Sequence, residues 1–534
     1  MSTQTEQQLE NALISQLETL GWEKVVITNE EDLLVNLKRQ LEKHNKALLS
    51  DYEFKQVLNK LARGNLFEKA KILRDKVDYT RDDGTTGYVE LINQAQWCKN
   101  EYQVTHQITM TGKYTNRYDV TLLVNGLPLC QIELKRRGLE MKEAFNQTNR
   151  YHRHSFAAGY GLFGYIQLFV ISNGVNTKYY ANNPINKRDF KQTFFWTDRK
   201  NSRITQLSEF AEVFLEKCQL SKLITKYIVL NESRQILMAL RPYQYYAVEA
   251  IVAQVLTTQK NGYIWHTTGS GKTLTSFKAA QILTQNPKVH KVVFVVDRKD
   301  LDYQTIAEFN SFQEGSVDAT NSTTKLVEQF GNDTPLIVTT LQKLNTAIGK
   351  ERHLETMEGL KDKKMVFIFD ECHRSQFGET HKRISEYFEN VQMFGFTGTP
   401  IFKDNAAKNA LGKRTTKDLF EQQLHSYVIT DAIRDENVLK FSVEYIAIKS
   451  LFDLRFDHGI LNIRGNVPAV DTGGHTLSHV FYDRIPGIFG TFRSAAGIAG
   501  LSFFELVFLG RASVANFFKD IICHFYSPLA CVVV

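Results

Sequence analysis

The run TTGSGKT, from Thr267 to Thr273, constrains the fold of this chain more than any other segment. It follows a short apolar stretch, YIWH, and leads into SFKAAQIL, whose spacing predicts a helix. Glycines between a strand and a helix let the backbone wrap a phosphate, and the amides at the helix N-terminus point at it. Lys272 is placed to reach the outer phosphates of a bound nucleotide, and the Thr273 hydroxyl to hold its Mg²⁺. The strict pattern has a glycine five residues before Gly271, where this chain has His266. The match is therefore to the shorter core of Thr268, Gly269, Ser270, Gly271, Lys272 and Thr273. A glycine-rich turn before a helix has the same composition; the strand and helix on either side favour the phosphate reading.

From about residue 235 the same rhythm of strand, loop and helix repeats through VVFVVD, LIVTT, MVFIFD and MFGFTG. Short, continuously apolar strands separated by helical stretches indicate a parallel sheet buried on both faces. MVFIFD delivers Asp370 and Glu371 to the carboxyl end of its strand, where ligands bind in such sheets. Asp370 can hold Mg²⁺ through water and Glu371 can polarise an attacking water. Paired acids at a strand end also occur as helix caps, and the upstream phosphate loop decides against that. Cys372 and His373 are adjacent on a turn with no further ligands nearby, which argues against zinc.

Upstream the character differs. Leu9, Leu13, Leu17 and Leu20 share one helical face, and residues 31 to 76 read as mainly helical. A β-rich block follows, in which Asn125–Gly126 between two apolar runs predicts a hairpin. The hairpin returns Asp119 beside Glu133, and alternation puts Gln131, Glu133 and Lys135 on one face. Two carboxylates can hold Mg²⁺ against a phosphodiester, and Lys135 can stabilise developing charge. A strand with a solvated polar face has the same letters. Gln147 and Tyr151, one turn apart on the next predicted helix, can both face the same site.

Composition is globular, with 43% hydrophobic and 23% charged residues, which excludes disorder or coiled coil for the chain as a whole. A net charge of +7 permits a polyanionic partner without requiring one. Six cysteines without paired spacing and a polar, amphipathic start predict a cytoplasmic protein without disulfides or a structural zinc. Near Ser450 the composition breaks. Residues 451–534 hold a single lysine, Lys519, and a single glutamate, Glu505, among eleven phenylalanines. The apolar stretch between Arg493 and Arg511 is short for a membrane span and carries Glu505. An ordinary buried segment and a shifted reading frame are the other two readings of this tail; its abrupt onset favours the shifted frame. Lys135 to Arg137, and a loop with Lys403, Lys408, Lys413, Arg414 and Lys417, offer phosphate contacts or plain solvated charge. His152 and His154 lack a third ligand and read as surface residues; Tyr243, Tyr245 and Tyr246 suit either adenine stacking or core packing.

RPYQ, TTGSGKT, DECH and FTGTP, in that order, resemble the motors of superfamily 2 helicases. The resemblance implies ATP as cofactor, Gln244 as its adenine reader, and Thr397 and Thr399 as the segment coupling nucleotide state to DNA grip. It also puts VVDRKDLDYQ and TTLQK on the nucleic-acid backbone. The stretch NRYDVTLLVNGLPLCQIELKRRG with EAFNQTNRY is similar to the nuclease domain of type I restriction enzyme motor (R) subunits. That family joins a PD-(D/E)xK nuclease to a downstream motor, and it implies a further acid at Glu10. The implied α/β architecture is a nuclease domain at 1–230, a RecA-like parallel-sheet P-loop domain at 235–450 and an atypical tail at 451–534. The implied activity is ATP-dependent translocation coupled to Mg²⁺-dependent cleavage of double-stranded DNA, with methyltransferase (M) and specificity (S) subunits as partners and no membrane. One motor lobe without the second implies weak ATP binding, little hydrolysis and no translocation. A non-catalytic truncated product and a helicase-like protein that only binds DNA are the alternatives.

Overall fold

A computed structural model describes residues 5–112, 114–154, 156, 159–296, 299–312, 322–350, 357–372, 377–403, 408–409, 412–413 and 415–439, with short runs at 443–445, 453–457, 460–464 and 531–533. The chain divides into two compact units, Met1–Val438 and Leu439–Val534.

The larger unit opens with four capped helices. Helix α1 (Glu6–Thr19) starts at a capping box of Thr5 with Gln8 and buries Leu9, Leu13 and Leu17. Asn29, Ser50 and Asn65 cap α2 (Glu30–Asn45), α3 (Asp51–Leu61) and α4 (Leu66–Ile72) through their side-chain oxygens. Six strands form the first sheet, in the order β1 (Glu23–Lys24), β4 (Tyr102–Thr111), β5 (Thr115–Val124), β6 (Leu127–Leu134), β7 (Leu168–Ser172) and β8 (Thr177–Ala181). A separate hairpin pairs β2 (Lys76–Thr80) with β3 (Thr86–Glu90).

The expected turn joins β5 to β6: Asn125 and Gly126 both have positive φ, 51° and 82°, as a tight two-residue hairpin loop requires. At Gly126 a Cβ would lie 2.8 Å from the Leu37 Cα, so the turn also lets α2 approach closely. Helix α5 (Met141–His154) carries the chain from β6 over to β7, which pairs with it in parallel. Every residue of β6 is buried, because helices cover the face that alternation alone would leave polar and wet.

Two short antiparallel pairs follow, β9 (Trp196–Thr197) with β10 (Arg203–Ile204) and β11 (Val229–Asn231) with β12 (Ile236–Met238). Helices α6 (Leu207–Phe214) and α7 (Lys217–Lys222) lie between them. Then α8 (Pro242–Thr257) leads into the second six-stranded sheet, which is wholly parallel. Its strands are β13 (Gly262–His266), β14 (Lys291–Val296), β15 (Leu336–Thr340), β16 (Met365–Phe369) and β17 (Val391–Thr397), with β20 (Gln423–Tyr427) after a small β18–β19 pair at Lys408–Asn409 and Gly412–Lys413. The spatial order is β15-β14-β16-β17-β13-β20. Helices α9 (Lys272–Thr284), α10 (Lys299–Phe312), α11 (Thr323–Gly331) and α12 (Leu341–Gly349) connect these strands.

One hydrophobic cluster runs from Leu9 to Phe396 through both sheets, and a second packs the other face of the parallel sheet around Phe367, Phe388 and Phe420. The two sheets are thus welded through a shared core. Cys98 and Cys218, 120 residues apart in sequence, lie with their sulfurs 3.1 Å apart, and both are free. Among the described residues no helix is long and apolar enough to cross a membrane.

In the smaller unit, Asp453–Asp457 pairs with Ile460–Arg464, and Val443–Tyr445 with Cys531–Val533, both antiparallel. The apolar stretch between Arg493 and Arg511 lies outside the described residues.

Candidate functional sites

The hairpin register sets Val120 opposite Ile132, and one step further Asp119 faces Glu133. Asp119 Oδ2 accepts a hydrogen bond from the Leu134 amide at 2.8 Å, and its carboxyl also hydrogen-bonds to that of Glu133. Glu133 is completely buried. Its Oε1 accepts from Gln131 Nε2 at 3.0 Å and its Oε2 from the Tyr151 hydroxyl at 3.1 Å. Burial first, and then the neighbouring Asp119, push Glu133 well above the ordinary carboxylate range. Burial raises Asp119 as well, opposed by the Leu134 amide and by Lys135. Burial and mutual repulsion together disfavour the doubly ionised pair.

Around this pair the other expected residues assemble. Lys135 is only 9% exposed, donates to the Leu134 carbonyl at 2.8 Å, and lies 3.8 Å from Glu6. Gln147 donates to the Tyr151 hydroxyl, whose single O–H is shared between the Glu133 carboxyl and the Arg117 carbonyl. Glu10 is buried on α1 and adds to the charge that raises Asp119. Its carboxylate meets His106 Nδ1 at 2.8 Å and the Gln107 amide. Gln107 falls between the His106–Val120 and Ile108–Tyr118 pairs, hence opposite Asp119, and has a φ of 57°. Its Oε1 is buried without a hydrogen-bond partner.

Those features bear on whether a divalent cation fits. The two raised carboxyls, with an orphaned amide oxygen on the neighbouring strand, are hard oxygens of the kind Mg²⁺ takes. Among the described residues no three His, Cys, Asp or Glu side chains converge at metal-binding spacing. Gln131, His106 and Gln107 are contacts that the sequence alone did not single out as part of a site; alternation placed Gln131 on the right face, and nothing local marks the other two.

At the second site the loop is built by two left-handed glycines, Gly269 (φ 78°) and Gly271 (φ 76°), with α9 starting at Lys272. No heavy atom lies within 4 Å of where a Gly269 Cβ would stand, an open cradle of the kind a phosphate fills. His266 is not part of the loop. It is the last residue of β13, fully buried, with Nε2 3.0 Å from His425 Nδ1, which accounts for the missing glycine.

Gln244 is engaged at both ends: its Oε1 accepts from the Arg241 amide at 3.0 Å and its Nε2 donates to the Ser270 carbonyl at 3.1 Å. Tyr243 donates to the same carbonyl at 2.9 Å and stacks on Tyr427 at 3.6 Å. Tyr245 and Tyr246 instead pack against Trp196. Lys272 Nζ forms an ion pair with Glu371 at 3.0 Å. Asp370 sits just behind, pushed up to about 6 by burial and then by Glu371, against the pull of Lys272. Glu371 has a φ of 47°, the left-handed region, at the sharp exit from β16. Thr273 hydrogen-bonds Glu308 of α10, a carboxylate the sequence did not single out.

The TGT segment leans on the loop: a Cβ at Gly398 would lie 3.4 Å from the Thr268 amide nitrogen. The Thr399 amide donates to the Thr397 hydroxyl at 3.0 Å. Thr273, Asp370, Lys272 and Glu371 are therefore brought together with Glu308, while Thr397 and Thr399 form the adjoining wall.

Several secondary expectations change. Lys135 is buried, so of the three basic residues only Arg136 and Arg137 are exposed. His152 is half-buried against Phe156, which lowers its imidazole to about 4, so it is not a surface residue. Lys417 lies on a helix, Thr416–Phe420, rather than a loop, and Arg414 lies outside the described residues. In TTLQK, Thr339 and Thr340 are buried and Thr340 caps α12, leaving Gln342 as the exposed polar residue. Residues 297–298 of VVDRKDLDYQ, and His373, lie outside the described residues.

Two family models match the chain: the N terminus of the type I restriction enzyme R protein over residues 3–188, and the SWI2/SNF2 ATPase over residues 243–460. The endonuclease subunit of the type I restriction enzyme SauMSSORF170P of Staphylococcus aureus (strain MSSA476) is 51% identical over 452 residues, covering 84% of this chain and 48% of that protein. The corresponding subunit of SsaAORF53P from Staphylococcus saprophyticus is 49% identical over 453 residues, with the same shares. The EcoprrI endonuclease subunit of Escherichia coli is 38% identical over 261 residues, covering 48% of this chain and 83% of that protein. The chain spans about half the length of the staphylococcal relatives. With nuclease-type and ATPase-type regions in that order, the chain belongs to the endonuclease (R) subunit family of type I restriction enzymes.

Proposed function

We propose that this chain carries the nuclease and the nucleotide-binding lobe of a machine that couples ATP hydrolysis to movement along double-stranded DNA and to its cleavage. The observation that carries the nuclease reading is the buried Asp119–Glu133 pair, with Lys135 alongside and Tyr151 and Gln131 holding Glu133 in place. Asp119 and Glu133 would hold Mg²⁺, which supplies Lewis acidity toward a phosphodiester. Lys135 is the cation that lies beside developing negative charge, and Glu10 braces the far side through His106 and Gln107. Gln147 fixes the Tyr151 hydroxyl and so acts on Glu133 at one remove.

In the motor lobe, Gly269 to Thr273 would cradle the phosphates of ATP, with Thr273 and Asp370 toward its Mg²⁺. Lys272 then exchanges Glu371 for phosphate, which frees that carboxylate to polarise water. Thr397 and Thr399 would relay the state of the loop through Gly398 to the DNA-facing side. Gln244, tied to the loop carbonyls, senses the same region beside the adenine. The proposed working assembly also contains M and S subunits, and its proposed domains run as nuclease 1–230 and motor lobe 235–450.

Supercoiled plasmid tests the nuclease reading. With Mg²⁺, nicked and linear products are expected from the wild-type chain and not from Glu133→Ala. Cleavage that persists in the variant, from folded protein, contradicts the assignment.

A further inference from the structure

A cleft of about 580 Å³ opens where the N-terminal sheet domain meets the motor lobe. It is remote from the phosphate loop: Lys278 and Gln281 line it from the later turns of α9, about 9 Å and more along the helix axis from Lys272. Arg74 lines it from just beyond α4, Lys226 from the turn after α7, and Trp97 from the rim.

The charge in this cleft is one-sided. Lys278 is 5% exposed and donates to the Ile228 carbonyl at 3.2 Å and to Gln281 Oε1 at 2.8 Å. The Arg74 guanidinium donates to the carbonyls of Ala70 and Ile224 and to Gln167 Oε1. Neither meets a carboxylate among the described residues. Glu232 is the one acid lining the cleft, and it pairs with Lys71 at 3.1 Å. Buried cations without a counter-charge are costly, and an anion bound beside them would relieve that cost. Burial, and then Arg74 and Lys226, push the Lys278 ammonium down to about 7.

We propose that this cleft binds a phosphate-bearing small molecule, its anion held by Arg74, Lys226 and Lys278. The volume suits a ligand of nucleotide size and excludes a duplex. Because its walls come from both the nuclease-type and the motor-type regions, an occupant would tie the two together.

The test uses the full chain carrying Lys272→Ala, so that the nucleotide loop is silenced, and titrates inorganic phosphate and AMP by calorimetry. One site is expected, weakened about tenfold or more by Lys278→Met and by Lys226→Gln. The second substitution lies on a half-buried residue and keeps the test valid if the first fails to fold. AMP binding tenfold tighter than phosphate would identify a nucleotide, with Trp97 beside the base; equal binding would identify a free oxyanion. No binding of either ligand in the millimolar range, or binding unchanged in folded variants, overturns the proposal.

Discussion

The two candidate sites solve one electrostatic problem in opposite ways. Each sets two acids side by side, Asp119 with Glu133 across the neighbouring strands β5 and β6 and Asp370 with Glu371 just past the end of β16. In the motor lobe the protein provides its own cation, since Lys272 lies 3.0 Å from Glu371. In the nuclease-type site Lys135 turns its ammonium to the Leu134 carbonyl and to Glu6, and its pull does not offset the burial that raises both acids. One acid pair is therefore neutralised in part by an internal ion pair. Among the described residues the other has no such ion pair at its carboxyls and is raised by burial, a state that the proposed divalent cation would reverse.

Breaking the nuclease side should have the largest effect. Glu133→Gln keeps the shape but replaces one acceptor oxygen with an amide donor and removes a metal-binding charge, so Mg²⁺-dependent plasmid cleavage should fall by about three powers of ten. Lys272→Ala should abolish ATP binding in a fluorescent-nucleotide titration, yet leave that cleavage rate within about twofold. If both activities fall together, the two sites are not separable as described here.

The pH dependence of stability sharpens the contrast. Asp119 and Glu133 are raised above their unfolded values of 3.8 and 4.5. Their protonated forms thus favour the fold fully below those values, and that stability is lost as pH rises through the higher folded values. Melting temperature without metal should fall across this interval, Mg²⁺ should restore it increasingly toward higher pH, and Glu133→Gln should flatten both trends.

Smaller effects should come from the supporting residues. Tyr151→Phe removes the tyrosine hydrogen bond to Glu133 and should slow cleavage about tenfold to a hundredfold without altering ATP binding. Gly271→Ala meets a φ of 76° and places its Cβ 2.7 Å from Gln244 Nε2, so a loss of about 1–3 kcal/mol in denaturant unfolding is expected.

What the sequence made legible follows from range. The strand–loop–helix at 262–284, the hairpin at Asn125–Gly126 and the acid pair at the end of β16 are local patterns, and their residues lie where spacing puts them. Glu133 is the instructive intermediate case. Its face was readable from alternation, but its complete burial was not, because the helices that cover β6 are distant in sequence. His106 and Gln107 meet Glu10 across more than 90 residues, and Glu308 reaches Thr273 from another helix. Such contacts are set by tertiary packing, and no periodicity encodes them. The same holds for the cation-lined cleft, whose members come from separated segments.

Direct metal binding tests the central claim, that Asp119 and Glu133 await a cation the protein does not provide. Mn²⁺, standing in for Mg²⁺, should be titrated into the Lys272→Ala chain near neutral pH and followed by electron paramagnetic resonance. One bound ion that disappears in Glu133→Gln and in Asp119→Asn is the predicted result. An unchanged stoichiometry in both folded variants would contradict it.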